Sequence, residues 1–196
     1  MSYNIVGYFI FTIITSFTPG PNNLMLFSYG KAYGMKNSGK VMLGIFLGFL
    51  FECVFSGYGI DGILLANPSA GLILRIVGSV WMLYLGWMLR TMNIHAGHRE
   101  KPVIGFGKAF GQQFLNPKAW IMAIGGASAF MPQLGSIHLN AAVYGLSFAM
   151  IGIPSMVAWL KAGDVLARFI TTERHHVVLG YVLFGLMIVT TITIWI

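Results

Sequence analysis

Six long apolar stretches, separated by short polar ones, dominate the chain. Crossing the ~30 Å hydrocarbon core of a bilayer takes about 20 mostly apolar residues in an α-helix. Each stretch is long enough, and together they predict transmembrane helices at roughly 5–29, 41–60, 70–92, 106–130, 138–160 and 177–196. None of them alternates with a period of two residues, so the strands of a membrane barrel are not indicated. The pattern predicts an all-α integral membrane protein with six transmembrane helices.

Composition supports the same class of protein. Only 9% of the 196 residues are charged and 57% are hydrophobic, whereas a soluble domain carries about 25% charged residues. The connections are too short to fold alone, so a single transmembrane domain is expected over 1–196. No nucleotide-binding fingerprint is visible and no cofactor is expected, which leaves an ion gradient as the energy source for any transport. The net charge of +7 lies in the connections and is attributed to topology and membrane lipid headgroups, not to nucleic acid.

The basic residues fall in every second connection. Connections after the first, third and fifth stretches hold Lys or Arg, whereas those after the second and fourth hold Asp61 and His138 and neither basic residue. Cytoplasmic loops carry an excess of Lys and Arg. The segments 30–40, 93–105 and 161–176 are therefore predicted to be cytoplasmic, and both termini are predicted to lie outside.

The first apolar stretch contains an interruption, SFTPGPNNLML, at Ser16 to Leu26. The 13 residues Ile5–Phe17 span only about 20 Å as a helix, so the chain reaches the interruption while still inside the membrane. Non-helical backbone at that depth persists only where it is buried in protein or lines a water-filled cavity. The sequence predicts a broken first helix beside such a cavity.

The fourth stretch repeats this interruption in GKAFGQQFLNPKAW. Pro19 and Pro117 are 98 positions apart, which is half of the 196-residue chain, and three helices per half give the two halves opposite orientations. Interrupted helices at corresponding positions of inverted halves are the best sequence indicator of a transporter's binding site. We therefore expect two inverted three-helix repeats, 1–92 and 106–196, joined by the cytoplasmic linker 93–105, with the first and fourth helices broken.

The residues after each interruption fit the start of a new helix. Proline suits the first position of a helix, and asparagine suits the cap before it. Asn116, Pro117 and Lys118 would open one half-helix in this way, and Pro21 would open another. The positive ends of both helix dipoles would then meet at the interruptions and form a site for an anion such as a carboxylate. Lys118 is expected to contact that anion; the alternative is that the prolines only kink continuous helices.

Three segments resemble the lysine exporter / threonine–homoserine exporter family (LysE/RhtB), namely SFTPGPNNLML, GKAFGQQFLNPKAW and LRIVGSVWMLYLGWMLR. This is a family of amino-acid efflux proteins of the bacterial inner membrane, and the resemblance covers essentially the whole chain. It implies a transporter, not an enzyme. The expected activity is export of amino acids or close derivatives across the cytoplasmic membrane, driven by the proton gradient or another ion gradient.

The resemblance also implies where the substrate binds. The expected binding residues lie in the first two segments, and the polar residues Asn23 and Gln113 of the same interruptions are added to them: Thr18, Pro19, Gly20, Pro21, Asn22, Asn23, Gln113, Asn116, Pro117 and Lys118. Glu52, near the centre of the second apolar stretch, matches none of these segments. A carboxyl group inside the membrane is costly when ionised, so Glu52 is a candidate proton carrier, with an ion pair to Lys118 as the alternative.

Paired glycines occur twice at the G-x-x-x-G spacing that lets helices pack closely, at Gly44 and Gly48 and again at Gly107 and Gly111. Packing within one chain is the expected use of both pairs. A homodimer interface is the alternative.

A metal or other ion exporter on a related fold is the alternative function. It would need acidic or thiolate ligands inside the helices, where only the adjacent Glu52 and Cys53 occur. His95 and His98 form an H-x-x-H in the predicted linker, but no convincing further ligand lies nearby. No metal site is therefore predicted.

Overall fold

The structure, a computed structural model, describes residues 4–59, 68–91, 104–170 and 172–195. Within these ranges the regular secondary structure is entirely helical, in the order α1 (Ile5–Phe17), α2 (Pro21–Asn37), α3 (Gly39–Gly57), α4 (Pro68–Thr91), α5 (Phe106–Gly111), the 3₁₀ helix Gln112–Leu115, α6 (Pro117–Phe130), α7 (Ile137–Ala167) and α8 (Glu173–Ile192). The expectation of an all-α membrane protein is confirmed.

Four helices in the described part of the chain are long and apolar enough to cross a membrane: α3, the Ser69–Arg90 part of α4, α7 and α8. They correspond to the second, third, fifth and sixth predicted helices. The first and fourth predicted helices are each divided. The first is split into α1 and α2, and the fourth into α5, the 3₁₀ helix and α6.

Several helices extend beyond the predicted boundaries. α7 continues to Ala167, into a segment that was predicted as a loop, and α8 begins at Glu173. The helical residues of α2 reach Asn37, but the backbone is not helical at Gly34, where φ is 72° and ψ is 171°, so the helix is broken there. Charged residues mark where the apolar surface ends, but they do not stop backbone hydrogen bonding, which explains the difference. The predicted linker 93–105 lies outside the described residues except for its last two positions.

Helix α2 forms the centre of the molecule, and every residue in 23–31 is buried. It packs against α7 with the two backbones in direct contact. A Cβ at Gly30 would collide with the carbonyl oxygen of Leu160, and a Cβ at Gly163 would collide with that of Phe27. Only glycine fits at either position, so the two helices are locked together along this contact.

The two G-x-x-x-G pairs behave differently. Gly44 and Gly48 of α3 lie against the α5 segment, where a Cβ at Gly44 would come within 2.6 Å of the Phe106 carbonyl oxygen. Close packing of this pair within one chain is confirmed. No described atom lies within 4 Å of a Cβ built at Gly107 or Gly111. The packing prediction is wrong for that pair, because the spacing places two glycines on one helix face but does not determine what the face contacts.

Candidate functional site

Helix α1 ends at the first interruption, and polar side chains take over the hydrogen bonds of its terminal carbonyl groups. Gly20 has an extended backbone, and Pro21 occupies the first turn of α2. The Asn23 side chain reaches back and donates hydrogen bonds to the carbonyl oxygens of Ser16 at 2.7 Å and Thr18 at 2.9 Å. Because the last carbonyls of a helix lack partners within that helix, these contacts stabilise a helix end away from water.

Helices α7 and α8 support the same chain end. The Ser155 hydroxyl donates to the Ser16 carbonyl oxygen at 2.7 Å, and the Trp159 indole donates to the Phe17 carbonyl oxygen at 3.3 Å. From α8, the Thr190 hydroxyl lies 3.4 Å from the Pro19 carbonyl oxygen. Sequence analysis did not predict these three residues. The available signal was a hydroxyl or indole group in the second half of an otherwise apolar stretch.

The second interruption consists of the 3₁₀ helix and Asn116, after which α6 begins with Pro117 in its first turn. The predicted start of this half-helix is confirmed. The predicted capping role of the Asn116 side chain is wrong, since no capping hydrogen bond forms. Its amide nitrogen instead donates to Asn22 Oδ1 at 3.2 Å. The Asn116 side chain therefore hydrogen-bonds to Asn22 instead of capping the first turn of α6.

A network of amide side chains joins the two interruptions. Asn22 and Gln113 exchange a reciprocal pair of hydrogen bonds, each 2.9 Å long. Asn116 is the third member, and its own Oδ1 is buried without a hydrogen-bond partner. A buried acceptor without a partner costs about 1–3 kcal/mol, so this atom is ready to accept a hydrogen bond from a ligand.

Lys118 connects the start of α6 to the first interruption. Its Nζ donates to Thr18 O at 2.8 Å, to Thr18 Oγ1 at 2.9 Å and to Pro19 O at 2.9 Å. A lysine ammonium group has three N–H donors, so these contacts use all of them. The side chain also explains Gly20, because a Cβ there would lie 2.7 Å from Lys118 Cδ. In this conformation Lys118 holds the two interruptions together.

Glu52 of α3 is fully buried, and neither of its carboxyl oxygens has a hydrogen-bond partner. The alternative of an ion pair with Lys118 is therefore not realised in this structure. Gly48, one turn earlier, would bring a Cβ within 3.0 Å of the Phe110 carbonyl oxygen and against the Gln113 side chain. Residues four apart share a helix face, so Glu52 lies on the face of α3 that packs along the second interruption.

A cavity of about 60 Å³ lies where the interruptions meet α3 and α7. A buried water needs roughly 10–15 Å³ on this measure, so there is room for about four to six water-sized groups. Its polar lining comes from the end of α1, the interruptions and α7: Thr15, Ser16, Asn22, Asn23, Asn116, Lys118 and Ser155. Its apolar lining comes from α3, α6 and α7: Ile45, Phe46, Phe49, Met122 and Met156. The arrangement suits a small molecule with one charged end.

A second, larger cavity of about 420 Å³ lies between α1, α6 and α8. Lys118 borders both cavities, together with Thr15 and Met122. Thr18 and Pro19 border the second cavity. The Lys118 side chain therefore separates two spaces that meet at the first interruption.

The predicted site residues are distributed over this region. Those that line the first cavity are Gly20, Pro21, Asn22, Asn23, Asn116 and Lys118. Gln113 reaches the site through its hydrogen bonds to Asn22. Pro117 instead packs against α4, where a Cβ at Gly78 would lie 2.6 Å from the proline ring. Glu52 lines neither of these two cavities.

Comparison with known proteins identifies one family. The family model described as LysE type translocator matches residues 13–196. A cysteine/O-acetylserine efflux protein of Salmonella typhimurium is 30% identical over 87% of this chain and 86% of its own length. Proteins with the same name are 32% identical in Salmonella typhi, over 87% of this chain and 86% of theirs, and 29% identical in Escherichia coli K12, over 83% of each. No solved structure matches this chain.

Proposed function

The chain belongs to the LysE type translocator family, and we propose that it is a secondary exporter of amino acids or close derivatives. Members of this family are transporters and not enzymes, and this protein is therefore a transporter. The observation that carries the proposal is the meeting of the two interruptions around one small cavity with a polar end. Cysteine and O-acetylserine, the compounds in the names of its relatives, are the first substrates to test.

The proposed binding mode follows from the charges of a zwitterion. Helices α2 and α6 both begin at the interruptions, so their positive dipole ends favour the substrate carboxylate there. The free acceptor Asn116 Oδ1 suits the substrate ammonium group. All three N–H donors of Lys118 are engaged in this structure. We therefore propose that the substrate carboxylate accepts a hydrogen bond from Lys118 Nζ in place of one of the oxygen atoms of Thr18 or Pro19.

The proposed architecture treats each interrupted stretch as one membrane crossing. α1 with α2, and α5 with the 3₁₀ helix and α6, would then complete six helices in two inverted repeats, 1–92 and 106–196. The distribution of Lys and Arg supports cytoplasmic segments 30–40, 93–105 and 161–176, with both termini outside the bacterial inner membrane.

For energy coupling, we propose that Glu52 carries a proton. A carboxyl group buried without a partner is costly when ionised, and its helix face packs along the second interruption. Opening of that contact during transport would give the group access to water and allow it to release the proton. Among the described residues, no group of three or more His, Cys, Asp or Glu is placed to hold a metal ion, so the metal exporter has no observation in its favour.

The test is transport by the purified protein in proteoliposomes, with a panel of radiolabelled amino acids that includes cysteine and O-acetylserine. Wild-type protein is expected to transport at least one of them. A variant with both Pro19→Ala and Pro21→Ala should insert normally but lose transport. In a continuous helix the N–H groups would form intrahelical hydrogen bonds and would no longer be available to the substrate. If the wild type transports no amino acid, the proposed function is wrong. If the double variant transports normally, the interruption is only a kink.

A further inference from the structure

The glycines of α7 differ in whether the surrounding packing leaves room for a Cβ atom. At Gly163 a Cβ would collide with the backbone of α2, and at Gly145 it would collide with the Val54 side chain and lie 3.1 Å from the Val54 nitrogen. At Gly152 the only described atom within 4 Å of a Cβ, outside its own helix, is Ser16 Oγ at 3.5 Å. That is an ordinary van der Waals distance. Packing therefore requires glycine at the first two positions but not at Gly152.

The space beside Gly152 belongs to the small cavity. Gly152 lines it, as do Ala149 and Met156 of the same helix and Ser16 of α1. Glycine weakens a helix relative to alanine, and α7 continues for 31 residues through this point. A glycine that packing does not demand, placed where a methyl group would enter the cavity, keeps that volume open.

We propose that Gly152 determines the size of the substrate side chain that the cavity accepts. This inference rests on the proposed function as an amino-acid exporter. The interruptions hold the charged end of the substrate, and the side chain extends between α3 and α7 toward the apolar wall. In a cavity of about 60 Å³, one added methyl group removes a substantial part of the room for that side chain. Long substrates lose more than short ones.

A competing explanation is that Gly152 acts as a hinge. Pro154 lies two residues further on inside α7, and proline removes a backbone hydrogen bond from a helix. A hinge residue affects the rate for every substrate, whereas a size-determining residue changes the ratio between substrates. The two explanations therefore differ in their measurable consequences.

The first experiment compares transport of cysteine with that of the longer O-acetylserine in proteoliposomes. Gly152→Ala should lower the O-acetylserine to cysteine ratio about tenfold, within the range seen for one methylene group in an apolar pocket. Ala149→Gly should raise the ratio. The control is Gly185→Ala in α8, and it should leave the ratio unchanged. A Cβ at Gly185 meets no described atom within 4 Å, and Gly185 lines neither of the two cavities described above. An unchanged ratio in Gly152→Ala, or an equal loss for both substrates, overturns the proposal.

A second measurement does not depend on transport. Gly152→Cys in a Cys53→Ala background should react with methyl methanethiosulfonate, and a bulkier methanethiosulfonate should react much more slowly. Equal rates for the two reagents, or no reaction with the smaller one, would show that position 152 does not face a small cavity. If the wild type transports no amino acid, the proposed function fails separately, and the thiol reaction still decides whether a small space lies beside residue 152.

Discussion

Replacing Lys118 by methionine removes three of the hydrogen bonds that join the two interruptions and leaves the amide network of Asn22, Gln113 and Asn116 in place. Hydrogen bonds to a charged group contribute about 1.5–3 kcal/mol each, so three of them would suggest roughly 4.5–9 kcal/mol. Part of this loss is compensated, however. Thr18 O still accepts from the Asn23 amide at 2.9 Å, and the Thr18 hydroxyl still donates to Thr15 O at 2.7 Å, whereas the Thr190 hydroxyl lies 3.4 Å from Pro19 O and closer, at 2.9 Å, to Leu186 O. Removing a partly buried charge also offsets part of the effect, so we expect Lys118→Met to lower the free energy of unfolding by about 2–4 kcal/mol.

Thermal unfolding in detergent measures this change. For a chain of 150–250 residues, about 1 kcal/mol corresponds to roughly 2–4 °C in Tm, so the shift should be about 4–16 °C. The matched control is Lys108→Met, since Lys108 is exposed on α5; its effect should stay within about 0.5 kcal/mol. Added substrate should raise the Tm of the wild type and the control, but much less that of Lys118→Met, because the carboxylate has lost its partner.

A double variant separates this account from an ion pair with Glu52. Because Glu52 and Lys118 share no hydrogen bond in the structure, Glu52→Gln/Lys118→Met should be additive with the single variants within about 0.5 kcal/mol. Recovery of stability in the double variant would refute the reasoning, as would wild-type stability with full substrate stabilisation in Lys118→Met.

Three further outcomes are expected. Asn22→Leu and Gln113→Leu should each lower the free energy of unfolding, measured by thermal unfolding, by about 1–3 kcal/mol. The double variant should lower it by less than the sum of the two, and strict additivity would show that the amides do not interact. Glu52→Gln should keep transport down a substrate gradient but lose accumulation driven by a pH gradient, and wild-type accumulation would exclude Glu52 as the proton carrier. In a Cys53→Ala background, impermeant thiol reagents should label Gln133→Cys from outside intact cells and Lys36→Cys only after permeabilisation; the reverse pattern would invert the proposed orientation.

The divided helices could be predicted because their signals are local. Proline at the first position of a helix, with glycine or asparagine before it, favours a helix start whatever lies around it, and both α2 and α6 begin at such prolines. The length of the preceding apolar segment is also a local signal, and it predicts that the first interruption lies inside the membrane. Neither inference needed any knowledge of tertiary contacts.

The contacts of the site could not be predicted in the same way. Lys118 was expected to meet a substrate or Glu52, yet its partners are two carbonyl oxygens and a hydroxyl about a hundred positions earlier. Every residue carries a carbonyl group, so composition gives no sign of which one will be free. Asn116 fits a cap by its position, but a neighbouring amide competed successfully for its side chain. The sequence pattern indicated which polar side chains belong to the site, whereas tertiary packing determines their hydrogen-bond partners.

The link between Thr18 and Lys118 has a consequence for biosynthesis, because it joins atoms 100 positions apart. At about 5–20 residues per second, the ribosome needs roughly 5–20 s to supply the lysine after the threonine. Thr18 O can still accept from Asn23 during that interval, but both donors to Pro19 O, Lys118 and Thr190, lie in the second half. Lipid cannot hydrogen-bond such a carbonyl group, at a cost of several kcal/mol. The nascent first half is therefore expected to remain beside the insertion machinery until the second half arrives. Fragments divided within the predicted linker should accumulate only when both are synthesised in the same cell.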